Sequence, residues 1–249
     1  MFKDNETVLT SPCEITFRSA TLIQAQAPSQ SAATLQVFQY HSRIDVTGKA
    51  ITGMTVTDQN VLLLCDYKYC GSEMVLAYSD TGIFLNTIKM PAPVWDIAMI
   101  PGSCKAVVTF NNKILGFINT NKLIPMKSKT VIWVKTSFWC SCFSKRNNGR
   151  SDHDSLNCID LGGFDIFKIQ IQGENMHRKI VQDLKNNIYV TGRGTNSIQR
   201  LYPDGTLDRL VVDVYNGIND PLAICFNKDY DKLYVSNNGE KSILVFRCN

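Results

Sequence analysis

From Ile97 to Ser151 the chain has no aspartate or glutamate, while Lys105, Lys113, Lys122, Lys127, Lys129, Lys135, Lys145, Arg146 and Arg150 all fall there. With a net charge of only +4 over 249 residues, the remainder is slightly acidic, so the basic character is confined to one sector. Long apolar runs are also missing. The longest is Val61-Leu62-Leu63-Leu64-Cys65, far short of the roughly 20 residues that span a bilayer, which excludes a membrane-spanning helix. The start, Met1-Phe2-Lys3-Asp4-Asn5-Glu6, has acids where a secretory leader has a basic and then an apolar stretch, so secretion is not expected. Paired Cys-x-x-Cys and His clusters at zinc spacing are absent as well. The nine cysteines are odd in number and scattered, which suits a reducing compartment better than a disulfide scaffold; the expected location is cytoplasmic, with no membrane or DNA partner.

What is present is enough apolar matter for a core. Hydrophobic residues make up 44% and charged residues 19%, outside the composition of disordered chains, and the length fits one all-β domain. Residues 1–36 read as a linker or tail, because Thr21 to Thr34 is small, polar and broken by Pro28. Cys13 to Phe17 alternates like a short strand with nothing to pair with. Residues 37–249 read as one domain of repeats.

The repeat is four short strands joined by tight turns. Ile51 to Val56, Val61 to Asp66, Met74 to Tyr78 and Ile83 to Ile88 make the first copy. Val94 to Met99, Lys105 to Phe110 and Lys113 to Asn119 open the second. Asn187 to Thr191, Ser197 to Leu201 and Thr206 to Val211 form another, and Pro221 to Phe226, Lys232 to Asn237 and Ser242 to Phe246 the last. The period of about 41 to 45 residues is that of one propeller blade. Asp80 to Gly82 and Asp204-Gly205 supply hairpin turns, where glycine takes positive φ at little cost. Few apolar residues recur at helical spacing, so the fold class is all-β, a β-propeller of four-stranded blades.

The last copy stops after three strands, leaving an edge prone to association. Val37 to Tyr40 or Arg43 to Val46 can supply the fourth strand and tie the ends of the ring together. From Met126 to Lys179 the repeat is degraded: Val131 to Val134 and Phe138 to Cys140 are candidate inner strands, Ser155 to Leu161 and Phe164 to Ile171 outer ones. Turn-to-turn spacing gives about five blade equivalents.

The strings Ile51 to Asp58, Val94 to Pro101, Lys105 to Phe110, Asn187 to Gly192, Leu201 to Gly205 and Ala223 to Asp229 resemble the NHL repeats in the C-terminal propeller of invertebrate, especially molluscan, tripartite-motif proteins. Cys13 to Gln26 is similar to the linker before that propeller. The resemblance implies a six-bladed ring that selects substrates for a ubiquitin ligase, whose RING and B-box this sequence lacks. It departs also in being one blade short, near Gly173 to Lys179. Ligase chemistry is therefore not expected in this chain, nor any catalytic residue or cofactor.

The expected activity is binding of a protein substrate or adaptor through loops on one rim, at Asp66, Lys68, Arg193, Asn196, Asn237 and Lys241. An RNA-binding alternative uses Lys127, Lys129, Lys145, Arg146 and Arg150, against the plainer reading of lysines on solvated turns. Trp95, Trp133, Tyr189 and Tyr234 suggest base stacking but read first as packing between blades. Cys140, Cys142, His153 and Cys158 can each bind zinc, yet at no established spacing, so no metal site is expected. Asp66, Asn111, Asn237 and Asn238 are of the type that holds calcium in six-bladed hydrolases, and also of the type that turns favour; no His–carboxylate pair supports a general base.

Overall fold

The chain divides after Leu35, and the account that follows concerns the second unit, Gln36–Asn249. Its structure, a computed structural model, describes residues 37–46, 50–67, 72–100, 102–110, 114–130, 155–159, 165–170, 179–239 and 241–249. The expected strand Cys13 to Phe17 and the candidate inner strands Val131 to Val134 and Phe138 to Cys140 lie outside them.

The period-two runs form antiparallel sheets. After β1 (Phe38–Asp45), the first blade is β2 (Ile51–Val56), β3 (Leu62–Asp66), β4 (Met74–Tyr78) and β5 (Phe84–Lys89), paired in that order. The second is β6 (Val94–Met99), β7 (Lys105–Phe110), β8 (Ile114–Asn119) and β9 (Ile124–Thr130). A separate two-stranded sheet follows, β10 (Ser155–Ile159) and β11 (Asp165–Gln170). The third blade is β12 (Ile180–Gln182), β13 (Ile188–Gly192), β14 (Ser197–Leu201) and β15 (Leu207–Val212). The fourth combines β16 (Ile224–Phe226), β17 (Lys232–Asn237) and β18 (Ser242–Cys248) with β1. The described residues thus make a four-blade propeller with a separate two-stranded sheet, where the spacing gives about five equivalents. One 3-10 turn, Val214–Asn216, is the only helical element among them. No described helix is long and apolar enough to cross a membrane.

The missing strand of the last copy is supplied as the unpaired edge requires. β1 pairs antiparallel with β18 from Phe38 opposite Cys248 to Asp45 opposite Ser242, so one strand spans both segments the sequence offered. The two ends are then stitched by Val37 N–H to Asn249 O at 3.2 Å and Asn249 N–H to Val37 O at 3.1 Å.

One turn recurs between the first two strands of every blade. Thr57 N–H donates to Val61 O, Asp183 N–H to Asn187 O, Asn227 N–H to Lys232 O and Ile100 N–H to Lys105 O. In three of these a side-chain oxygen caps the returning strand: Thr57 Oγ1 accepts from Val61 N–H at 3.1 Å, Asp183 Oδ1 from Asn187 N–H at 2.9 Å and Asn227 Oδ1 from Lys232 N–H at 2.9 Å. Such capping is why threonine, aspartate and asparagine stand at that position. The expected glycine turns form too, with Gly82 at φ +87° and Gly205 at φ +86°.

In the first blade burial falls from the inner strands outward. Every residue of β2 and β3 is buried, whereas β5 exposes four of its six residues. Inner strands carry a neighbouring blade on each face, so the near-continuous apolar run through Leu62 to Leu64 suits a sheet covered on both sides. Three apolar clusters then join blades pairwise. Leu63, Val75, Val94 and Val108 link the first to the second, Leu64, Leu76, Tyr234 and Val245 the fourth to the first, and Tyr189, Ile198, Phe226 and Phe246 the third to the fourth. Tyr189 and Phe226 meet edge-on with ring centres 5.2 Å apart. Each fully buried side chain of this size contributes about 1.5–3 kcal/mol. Tyr189 and Tyr234 thus pack between blades as expected; Trp95 is half-buried, edge-on to Tyr67 at 5.3 Å, and Trp133 lies outside the described residues.

Candidate functional site

Antiparallel connectivity places the loops β3–β4, β13–β14 and β17–β18, and the links from one blade to the next, on the rim where the inner strands begin. The three loop regions expected to meet a partner therefore share one face. Two of them are fastened together by side chains. Arg193 pairs with Asp220 through Nη2 to Oδ2 at 3.0 Å and through Nε to Oδ1. Asp220 N–H donates to Asn196 Oδ1 at 2.8 Å. Asn237 Oδ1 accepts from Asn219 N–H, and its Nδ2 donates to Gly217 O at 3.0 Å. Asn238 grips Ile51 at both backbone groups, accepting from N–H at 3.1 Å and donating to O at 3.2 Å. Asn196, Asp220 and Lys241 hold left-handed backbones at φ 47°, 55° and 54°, a conformation asparagine and aspartate tolerate better than most residues. The loop β13–β14, the link into β16, the loop β17–β18 and the start of β2 thus form one hydrogen-bonded collar.

The expected contact residues divide within it. Arg193 and Asn196 sit half-buried in the collar, and Lys241 is exposed at its edge. Asp66 and Asn237 are fully buried. Asp66 lies at the foot of the β3–β4 loop with Ser72 Oγ 3.5 Å away, and Asn237 serves the backbone as just described, so both shape the rim from beneath its surface. Lys68 lies outside the described residues, as do Lys145, Arg146, Arg150, Asn111, Cys140, Cys142 and His153. Of the remaining basic candidates, Lys127 is exposed on β9 and Lys129 lies in the same strand; Cys158 is in β10.

The inner strands β2, β6, β12 and β16 line a central cavity of about 620 Å³. Its wall is mostly apolar, with Met54, Val56, Ile97, Met99, Ile180 and Phe226 among the lining residues. At the collar end an ion pair between Lys179 and Asp96 crosses from the third blade to the second. At the opposite end Asp58 and Lys228 follow β2 and β16. Cys65 lies near that ion pair: burial, and then the Asp96 carboxylate, push its thiol well above the usual range. Burial does the same to Cys225, and raises Cys248 to about 12. All three thiols stay protonated near neutral pH, which removes their nucleophilic form. Among the described residues no three His, Cys, Asp or Glu side chains converge on a metal-sized site.

Sequence reasoning missed Asp220, Asn219, Asp96 and Lys179. The left-handed Asp220 had a local signal in Asn219-Asp220-Pro221, a turn-forming string before a strand. Asp96 and Lys179 had none, since only ring closure brings β6 beside β12. No protein-family model and no curated protein matches this chain.

Proposed function

We propose that the chain is an interaction module, an NHL-type propeller akin to the substrate-selecting domain of tripartite-motif ligases, that binds a protein substrate or adaptor through its collar rim. The observation that carries this reading is the collar itself. Arg193, Asn196, Asn219, Asp220, Asn237 and Asn238 fix loops from neighbouring blades before any partner arrives, so little conformational freedom is lost on binding. Blades of about 41 to 45 residues and a last blade completed by the N-terminal strand support the propeller half of the proposal. The two-stranded sheet β10–β11 is, on this reading, the remnant of a degraded fifth blade.

A paired comparison tests it. The immobilised chain and an Arg193→Ala/Lys241→Glu double variant are each exposed to cytoplasmic extract from the source tissue, after thermal melts show that both are folded. A protein retained by the first and lost by the second supports rim recognition; an identical retained set refutes it. In parallel, a ubiquitination assay with purified chain, activating and conjugating enzymes gives no product, because the chain lacks a RING; product formation would overturn the assignment.

A further inference from the structure

Among the described residues the outer strands of the four blades are paired on one side only, and three of them carry the features that deter further pairing. β9 has Pro125, Lys127 and Lys129; β15 has Asp208, Arg209 and two register breaks; β1 has Arg43, Asp45 and a bulge between Tyr40 and Ser42. β5 differs. Phe84 to Ile88 contains no proline and no charge, Lys89 at its end is its one charged residue, and its single register break lies at the turn end. Its apolar residues are also on show: Ile83, just before the strand, is 64% exposed, Phe84 54% and Leu85 46%.

The backbone of this edge is accessible in the direction that matters. Met90 N–H donates to Glu73 O at 2.7 Å, so antiparallel alternation turns the N–H groups of Ile88 and Asn86 toward β4 and that of Thr87 outward. Thr87 N–H is met by the side chain of Asn86 at 2.8 Å, a bond an incoming strand can replace.

The surroundings select the charge of the incoming strand. Asn86 Nδ2 donates to Leu123 O at 3.3 Å, which sets β5 against the outer part of the second blade, where β7 to β9 carry no aspartate or glutamate. Exposed Lys122 and Lys127 flank exposed Ile124 and Met126 there, and Lys89 adds a third cation. Of the nearby acids, Asp80 is paired with Lys232 at 3.1 Å, and Glu73 lies opposite Met90 at the Lys89 end of β5, where it offsets that lysine and leaves Lys122 and Lys127 as the net charge. A second copy of this chain would bring two such basic walls together, whereas an acidic strand with apolar residues on its alternate face complements both the charge and the exposed Phe84, Leu85, Ile124 and Met126.

We propose that β5 accepts an extended, acidic and apolar segment of a partner protein as a fifth strand of the first blade, at a surface separate from the collar. The test uses the full chain and a fluorescent ten-residue peptide alternating glutamate and valine, titrated by anisotropy beside its lysine-for-glutamate counterpart. The acidic peptide should bind about tenfold or more tighter than the basic one, a difference of about 1.4 kcal/mol. Thr87→Pro, which removes an outward N–H and leaves the ladder to β4 intact, should weaken binding about tenfold with an unchanged melt. Should that variant unfold, Lys122→Glu/Lys127→Glu carries the test, because it touches no strand hydrogen bond and should abolish the preference for the acidic peptide. Equal binding of both peptides, no binding of the acidic one, or full retention in a folded Thr87→Pro variant would overturn the proposal. So would concentration-dependent dimerisation lost in Thr87→Pro, which assigns the edge to a second copy, or displacement of the peptide by a single-stranded RNA.

Discussion

The junction between the first and second blades and the junction between the second and third are built from different materials. The former is a continuous apolar cluster running from Leu63 and Val75 to Val94, Val108 and Ile118. The latter, among the described residues, is crossed by Lys179 on Asp96, both of them partly open to solvent. Apolar contact is non-directional and grows with area, so it holds blades over their whole height. A partly exposed ion pair acts at one point and is weakened by salt. Among the described residues the ring is therefore unevenly clamped, firm through three junctions and lightly latched at the fourth, between β6 and β12.

Truncating the apolar side should hurt most. Phe246→Ala, within the cluster joining the third and fourth blades, is expected to cost about 3–5 kcal/mol, read as a lower midpoint in urea unfolding. Gly53→Val comes next. A side chain at Gly53 would meet the Asp96 backbone at 2.7 Å, where inner strands of the first two blades nearly touch, and about 1–3 kcal/mol of strain is expected in the same measurement. Lys179→Met should cost no more than about 1 kcal/mol, yet speed hydrogen exchange in β6 and β12 while leaving β3 and β17 protected. If Lys179→Met proved as damaging as Phe246→Ala, the contrast between firm and light junctions would be wrong.

The strands of the firm blades were largely written in the sequence, because a sheet covered on both faces needs apolar, β-branched runs and a sheet turn needs glycine. Ile51 to Tyr78 and Lys232 to Phe246 follow that logic residue by residue. β9, with Pro125, Lys127 and Lys129, did not announce itself as the fourth strand of the second blade, since an outer strand has little to bury. β12 is three residues long and too short to show a period. The rim was legible as a set of loops but not as a collar. Aspartate and asparagine at a loop suggest exposure, yet Asp66 and Asn237 are buried, Asn237 because its amide serves backbone groups that the loops leave unpaired. The recurring cap at Thr57, Asp183 and Asn227 went unread, because it is chemically varied and a shared place after the first strand of a blade, rather than a shared residue, unites it.

The pairing of β1 with β18 has a consequence for biogenesis. The first described strand of the ring to leave the ribosome has to wait, unpaired, until β18 has emerged, so the fourth blade cannot be completed before the other three blades have been made. A nascent chain lacking β18 would leave β17 a naked sheet border and β1 without the strand it pairs with, and would be a substrate for chaperones or proteases rather than a smaller propeller.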